Sequence, residues 1–308
     1  MSRYKTPLRY PGGKQKLAPF ISELIEENGL FGGHYVEPYA GGGGVAIELL
    51  LGGQVSRIHL NDSCKGVYAF WRSVLSNTDE LCARISRASL TVEEWRRQQQ
   101  IFARPSECSQ VDLGFSTFFL NRCNRSGILA GGLIGGLRQD GEWNMDARFP
   151  RNELIRRIEA IALKRKAISV RSWDAEKFIR EYVPRVPRTA LVYLDPPYFR
   201  KADRLYLNHY TPEDHARIAR VIQTEIRHQW VVSYDNVPEI VSFFAKRRSF
   251  EYDLQYNASR AYRGREIIVL SDELRVRRQS KVHGVNEALR NYRGKLLFRT
   301  LLAGPRTS

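Results

Sequence analysis

The chain has 308 residues, enough for one large or two modest domains, with an ordinary apolar fraction of 43%. Its 49 Lys and Arg against 33 Asp and Glu leave a net charge of +16, which favours a polyanionic partner such as nucleic acid, although a membrane surface or solubility alone would also fit. The amino terminus lacks the apolar core of a signal peptide and no later run approaches the roughly 18 apolar residues of a membrane span, so a cytoplasmic location is expected. Cys64, Cys82, Cys108 and Cys123 form no CxxC pair and the six histidines no HExxH; free thiols and no metal site are expected.

In chain order, YPGGK at 10–14 reads by itself as a Pro-Gly turn with a lysine. HYVEPY at 34–39 predicts a strand, GGVAIELLL a helix and RIHLND at 57–62 a second strand, the start of a βαβ unit. From Lys65 to Lys164 the apolar residues fall at helical spacing in KGVYAFWRSVL, DELCARISRA, EEWRRQQQIF and VDLGFSTFFLNRC, with Thr91 and Glu94 as a capping box for the third. A further helix covers 152–164, so the segment reads as a helical insertion. Alternation then resumes with strands AISVR and ALVYLD around the helix AEKFIREYV. Thr211 caps a helix with Pro212 at its first position, and QWVVSYD, VPEIVSFFAKR, FEYDLQY and REIIVLS follow. This order predicts an α/β fold with a doubly wound, mostly parallel sheet whose last two strands form an antiparallel edge hairpin. Beyond, from Arg275, nine basic residues face the single acid Glu287, either a solvated tail or an extra arm for a polyanion.

Open α/β sheets bind ligands beyond the carboxyl ends of their strands, and four places stand out, YPGGK ahead of the first strand and the three that follow. Glu37, Pro38, Ala40, Gly41 and Gly43 lie in EPYAGGGG, where glycines let the backbone approach a ligand ahead of a helix amino terminus. Alone this is a weak signal: Gly41, Gly43 and Ala46 also satisfy a loose dinucleotide pattern, and a tight turn would look the same. Asp62 at the tip of the second strand can accept two hydrogen bonds from a ribose diol, or it can simply cap the helix from Lys65. In DPPY, Pro196 and Pro197 fix the backbone after Asp195, leaving the acid, the Pro196 carbonyl and the Tyr198 ring in one geometry. Two acceptors and an aromatic face suit a flat group with a donating amino function; a merely stiff loop is the rival reading.

The order YPGGK, EPYAGGGG, a helical insertion with FFLNRCNRSG, then DPPY resembles the Dam-like DNA adenine methyltransferases from about Arg9 to Leu270. The resemblance implies a seven-stranded Rossmann-like methyltransferase sheet made by residues 1–64 and 165–274, a helical target-recognition insertion at 65–164, and leaves 275–308 as a basic tail. It implies S-adenosylmethionine as methyl donor and double-stranded DNA as partner, and it allows a cognate restriction nuclease beside a monomer or weak dimer. Tyr10, Lys14, Glu37, Pro38, Ala40, Gly41, Gly43, Asp62, Asp174 and Asp195 would line the cofactor site. Asp195, Pro196, Pro197 and Tyr198 would act on the base, and Asn121, Arg122, Asn124, Arg125, Ser126 and Arg138 would meet DNA. The chain departs from its relatives at Tyr10, where some have Trp, and at Arg125, where they carry an aromatic, so no target sequence follows. A cytosine-amino or RNA methyltransferase could use the same loop. A nicotinamide dehydrogenase would explain the glycines but not DPPY, and an inactive DNA-binding regulator would explain the charge.

Overall fold

The computed structural model describes residues 6–9, 14–199, 210–256 and 262–277. Its strands are β1 (His34–Glu37), β2 (Arg57–Asn61), β3 (Ile168–Arg171), β4 (Ala190–Leu194), β5 (Gln229–Asp235), β6 (Arg248–Tyr256) and β7 (Tyr262–Leu270). They form one seven-stranded sheet in the order β3-β2-β1-β4-β5-β7-β6. The five from β3 to β5 are parallel, while β7 runs antiparallel to both β5 and β6. The expected hairpin is therefore present, with β6 as the edge and β7 inserted beside β5.

Successive residues of the central strands feed opposite layers, as the two-residue period of a strand requires. Tyr35, Leu191, Tyr193 and Val231 join one core, and Val36, Val192, Leu194, Val232 and Tyr234 the other. The first layer holds α1 (Ala18–Glu27), α2 (Gly44–Leu51) and the insertion helices α3 (Lys65–Ser76), α4 (Thr78–Arg87), α5 (Val92–Ala103), α6 (Gln110–Cys123) and α7 (Arg151–Ala162). The second holds α8, which starts at Ala175–Lys177 and continues through a π-turn at Phe178–Tyr182, then α9 (Pro212–Glu225) and α10 (Pro238–Phe243). Helix α1 was not expected, although Phe20, Ile21, Leu24 and Ile25 have helical spacing and all are buried.

Caps set the helix starts. Thr211 Oγ1 accepts the Asp214 N–H and the Asp214 carboxylate accepts the Thr211 N–H, a full capping box. At Thr91 only half of the expected box forms: its hydroxyl accepts the Glu94 N–H at 3.2 Å, while the Glu94 carboxylate accepts from Gln98 and Arg97. Ser109 and Asp112 supply a complete box for α6.

The insertion shares its core with the sheet. One apolar cluster runs from Leu17 and Ile21 through Phe70, Trp71, Phe118 and Phe119 to Leu154 and Ile158. Helix α6 is buried from Val111 to Cys123 except at Asp112, so its amphipathic pattern is weak and its neighbours close on all sides. It meets α3 at Gly114, where a Cβ would lie 2.8 Å from the Ala69 carbonyl oxygen and 2.5 Å from Ser73 Oγ. The Ser73 hydroxyl could turn aside, but the backbone could not. Gly114→Ala is expected to destabilise the protein by about 1–3 kcal/mol in urea unfolding, because the helices must part; an unchanged midpoint would show that the α3–α6 contact is loose.

Candidate active site

Glu37, Asn61, Asp62, Asp195 and Asp235 all fall at the carboxyl ends of parallel strands, so one rim of the sheet gathers the acids. Asn61, a residue not singled out from sequence, ties that rim together. Its amide donates to the Pro38 and Trp173 carbonyls at 3.0 Å each, and its oxygen accepts the Trp173 N–H at 2.9 Å.

The glycine loop is held from two sides. Gly41 and Gly43 have φ of 45° and 55°, a region glycine enters without strain. The Trp71 indole, brought by α3, donates to the Gly41 carbonyl at 3.0 Å and lies where a Gly43 Cβ would be, 3.0 Å from its ring. On the other side Asp62 Oδ2 accepts the Gly41 N–H at 2.8 Å, and Oδ1 accepts the Cys64 N–H at 2.9 Å. Asp62 therefore does turn the chain toward α3 as well as reach the loop. Burial raises its carboxyl above the ordinary value, while the N–H groups of Cys64 and Gly41 act the other way.

Glu37 is 3% exposed and its Oε1 accepts the Ala46 N–H at 3.3 Å. Burial pushes its carboxyl from 4.5 up to about 8. Asp174 stands exposed at the start of α8, where its Oδ1 accepts the Lys177 N–H at 3.1 Å. Tyr10 lies outside the described residues.

A second group surrounds the DPPY loop. Lys14 Nζ lies 2.5 Å from Glu266 Oε2, 3.1 Å from Asp195 Oδ1 and 3.2 Å from Ser233 Oγ. The Ser233 hydroxyl donates to Asp195 Oδ1 at 2.9 Å, so the Tyr193 hydroxyl, 2.7 Å away, donates to it. Tyr198, only 4% exposed, donates its hydroxyl to Glu266 Oε1, and Lys14 Nζ sits 5.3 Å from the centre of its ring. Phe199 N–H donates to Asp235 Oδ1 at 2.9 Å. Burial by itself would lower the Lys14 pKa, but Asp195 and then Glu266 drive it well above the ordinary value. Burial raises the Asp195 carboxyl, opposed by Lys14.

Glu266, Ser233 and Trp71 were all missed in the sequence. Glu266 had a signal: an acid within REIIVLS, on the strand face it shares with Ile268 and Leu270, needs a buried partner.

The six residues expected to meet DNA separate into two sets. Asn121 and Asn124 are fully buried. Asn121 accepts the Arg9 N–H at 2.7 Å and donates to the Arg9 and Gly127 carbonyls; Asn124 accepts from the Trp95 indole and donates to the Ile128 and Leu129 carbonyls. Arg122, 7% exposed, donates to the Arg148 and Pro7 carbonyls, and burial, then Arg9, lowers its pKa to about 9. In these three, expected to meet DNA, the polar atoms are engaged inside the protein, where they build the frame of the hairpin. Arg125 and Ser126 are exposed beside the Asn124–Leu133 bridge, and Arg138, Leu137 and Trp143 project from the loop after it. Trp143 is 60% exposed, with the Arg148 guanidinium 5.9 Å from its ring centre.

Among the described residues no helix is long and apolar enough to cross a membrane, and no three His, Cys, Asp or Glu side chains gather as metal ligands. Residues 10–257 match the family model for D12 class N6 adenine-specific DNA methyltransferases. The chain belongs to that family. Its activity is thus methylation of adenine in DNA. The chain is also similar to a Type II methyltransferase, M.MjaIII, of Methanocaldococcus jannaschii, 23% identical over 206 residues that cover 62% of this chain and 68% of the relative. Among solved structures, the rRNA methyltransferase aviRa of Streptomyces viridochromogenes aligns over 86% of this chain and 88% of its own, at 15% identity and a TM-score of 0.38. Protein LPL1258 of Legionella pneumophila aligns over 90% and 91%, at 11% identity and a TM-score of 0.37.

Two measurements follow from this geometry. The Glu37 carboxyl is raised in the folded state, so its burial costs nothing below pH 4.5, where it is protonated folded or unfolded, and destabilises progressively as pH rises to about 8. Glu37→Gln is expected to raise the melting temperature above that window and leave it unchanged below; equal effects at both ends would contradict the assignment. Asn121→Ala should cost about 1–3 kcal/mol of stability by stranding the Arg9 groups, read in urea unfolding, and a variant with native stability but weakened DNA binding would restore the contact role.

Proposed function

We propose that the protein methylates an adenine rotated out of duplex DNA into the space at the DPPY loop, with Asp195 and the Pro196 carbonyl receiving its amino group. The observation that carries this reading is the fixing of that loop at three points: Asp195 by Ser233 and Lys14, Tyr198 by Glu266, and Phe199 by Asp235. A loop held so firmly presents its acceptors without reorganisation at the moment of reaction.

The rim residues fit S-adenosylmethionine, the donor that the family implies. A carboxylate offers about four acceptor directions, and Asp62 uses two on backbone N–H groups, leaving two for a ribose diol. Gly41 and Gly43 leave the backbone bare beside it, and Glu37, buried behind them, offers a carboxyl to a cationic amino group. Lys14, Pro38 and Ala40 complete this wall, and Asp174 stands at its β3 side. When bound, S-adenosylmethionine supplies a methyl group on a sulfonium sulfur.

The chain's own part is positioning and charge. Asp195 and the Pro196 oxygen, by accepting the two amino N–H groups, favour a pyramidal nitrogen and offset the positive charge that grows on it. Pro197 keeps the loop from relaxing. The Tyr198 ring is the stacking partner for the base, which helps to offset the few kcal/mol of extrusion. Arg125, Ser126 and Arg138, all exposed on the hairpin side, are the contacts proposed for the duplex, and the positive charge of the chain supports attraction to its phosphates.

Asp195→Ala is expected to cut methyl incorporation into duplex DNA by roughly 100-fold or more, measured with labelled donor and digestion of the product to nucleosides, while donor binding is retained. Transfer at near wild-type rate, or label in cytosine, would reject the proposal.

A further inference from the structure

We propose that Glu266 is a positioning residue of the methyl-transfer centre: one carboxylate oxygen holds the Lys14 ammonium and the other holds the Tyr198 hydroxyl, so that charge and ring keep one arrangement beside Asp195. This rests on the roles given above to Asp195 and Tyr198.

The geometry is a fork. Glu266 Oε2 lies 2.5 Å from Lys14 Nζ and Oε1 accepts from Tyr198, so a single side chain spans a cation and a ring that themselves lie 5.3 Å apart. Its side chain is 1% exposed. Stability alone gives little reason for it, because apolar residues of similar volume often replace buried ion pairs without loss. The neighbours Ile267 and Ile268 show that the strand accepts such residues. Lys14 already has Asp195 at 3.1 Å, so Glu266 is a second anion on one cation.

What the second anion adds is direction. With Asp195 alone, Lys14 would be drawn wholly onto the acid that must receive the amino group, and would occupy its oxygens. Glu266 pulls the ammonium toward β7 and leaves Asp195 shared between Lys14 and Ser233. The same strand position grips the other half of the loop: Asp235, opposite Glu266 in the β5–β7 register, accepts the Phe199 N–H. Adjacent residues of the loop, Tyr198 and Phe199, are thus pinned to facing positions of one strand pair.

Among the described residues, the titratable groups that face Glu266 are Lys14, Asp195, Tyr193 and Tyr198, with Asp235 opposite on β5. Its negative charge raises both Asp195 and Lys14. Removing that charge therefore lowers both, and each limb of the pH–rate profile moves to lower pH.

The test compares the wild-type protein with Glu266→Gln, Glu266→Asp and Tyr198→Phe, using duplex DNA and labelled donor across a pH series, with melting temperatures and donor affinity measured in parallel. Glu266→Gln is expected to lower kcat roughly 10- to 100-fold and to move both limbs to lower pH, with donor affinity little changed. Glu266→Asp, which keeps the charge, should return the limbs to their wild-type positions. Tyr198→Phe, which deletes only the hydroxyl, should lower kcat without moving them. A Glu266→Gln enzyme with wild-type kcat and limbs overturns the proposal, as does a loss of activity that follows melting temperature with both limbs fixed. Should Glu266→Gln fail to fold, the other two variants decide it by the same criteria: unchanged kcat in Tyr198→Phe together with shifted limbs in Glu266→Asp overturns it. If Asp195→Ala remains active, the reading of the loop fails; if that variant is dead while Glu266→Gln is normal, only the positioning role fails.

Discussion

The structure turns on one cation placed between two carboxylates, Glu266 buried and Asp195 half-buried. Lys14, Asp195 and Glu266 come from the start of the chain, the tip of β4 and the last strand of the sheet. None of them is tolerable there alone, since an unpaired buried charge carries a penalty of several kcal/mol. The sheet order makes the meeting possible: β7 inserts beside β5, and β5 lies beside β4, so Glu266 arrives next to the loop that leaves β4. An edge position for β7 would have left Glu266 one strand further away. The antiparallel insertion of the last strand is thus a condition for the polar centre, and the DPPY loop takes its shape from that centre as much as from its prolines.

The other half of the rim obeys a different constraint. There the ligand-side backbone is held by one acid and one indole, with Asp62 and Trp71 gripping opposite sides of the same glycine turn. Trp71 comes from α3, so the helices at 65–164 help to hold the glycine turn of the proposed cofactor site. The continuous apolar core from α1 to α7 is the energetic counterpart of that sharing.

Most of the fold could be read from the sequence because its signals are local: strands with a two-residue period, helices with Thr211 and Pro212 at their starts, glycines and acids at strand ends. What escaped detection depends on pairs distant along the chain. Glu266 and Ser233 have no motif of their own and acquire meaning only when β7 lies beside β5. Asn121 and Asn124 fall in the segment that the family resemblance assigns to DNA contact, yet a buried turn also needs amides to satisfy its carbonyls. Exposure separates the two uses, and a sequence does not state exposure. Helix α1 was hidden by the turn residues before it, although its apolar spacing was regular.

The buried frame of the hairpin bears on how such a protein can change its preferences. Asn121, Asn124 and Gln139 hold the turns from within, Gln139 by bonds to the Ile134 and Gly136 carbonyls and the Met145 N–H. Arg125, Ser126, Leu137, Arg138 and Trp143 stand on the outside of that frame. Substitutions at exposed positions of this kind usually shift stability by no more than about 0.5 kcal/mol, whereas the frame has no such latitude. With the duplex contacts proposed for Arg125, Ser126 and Arg138, substitutions there would change what the hairpin meets while the scaffold stays the same.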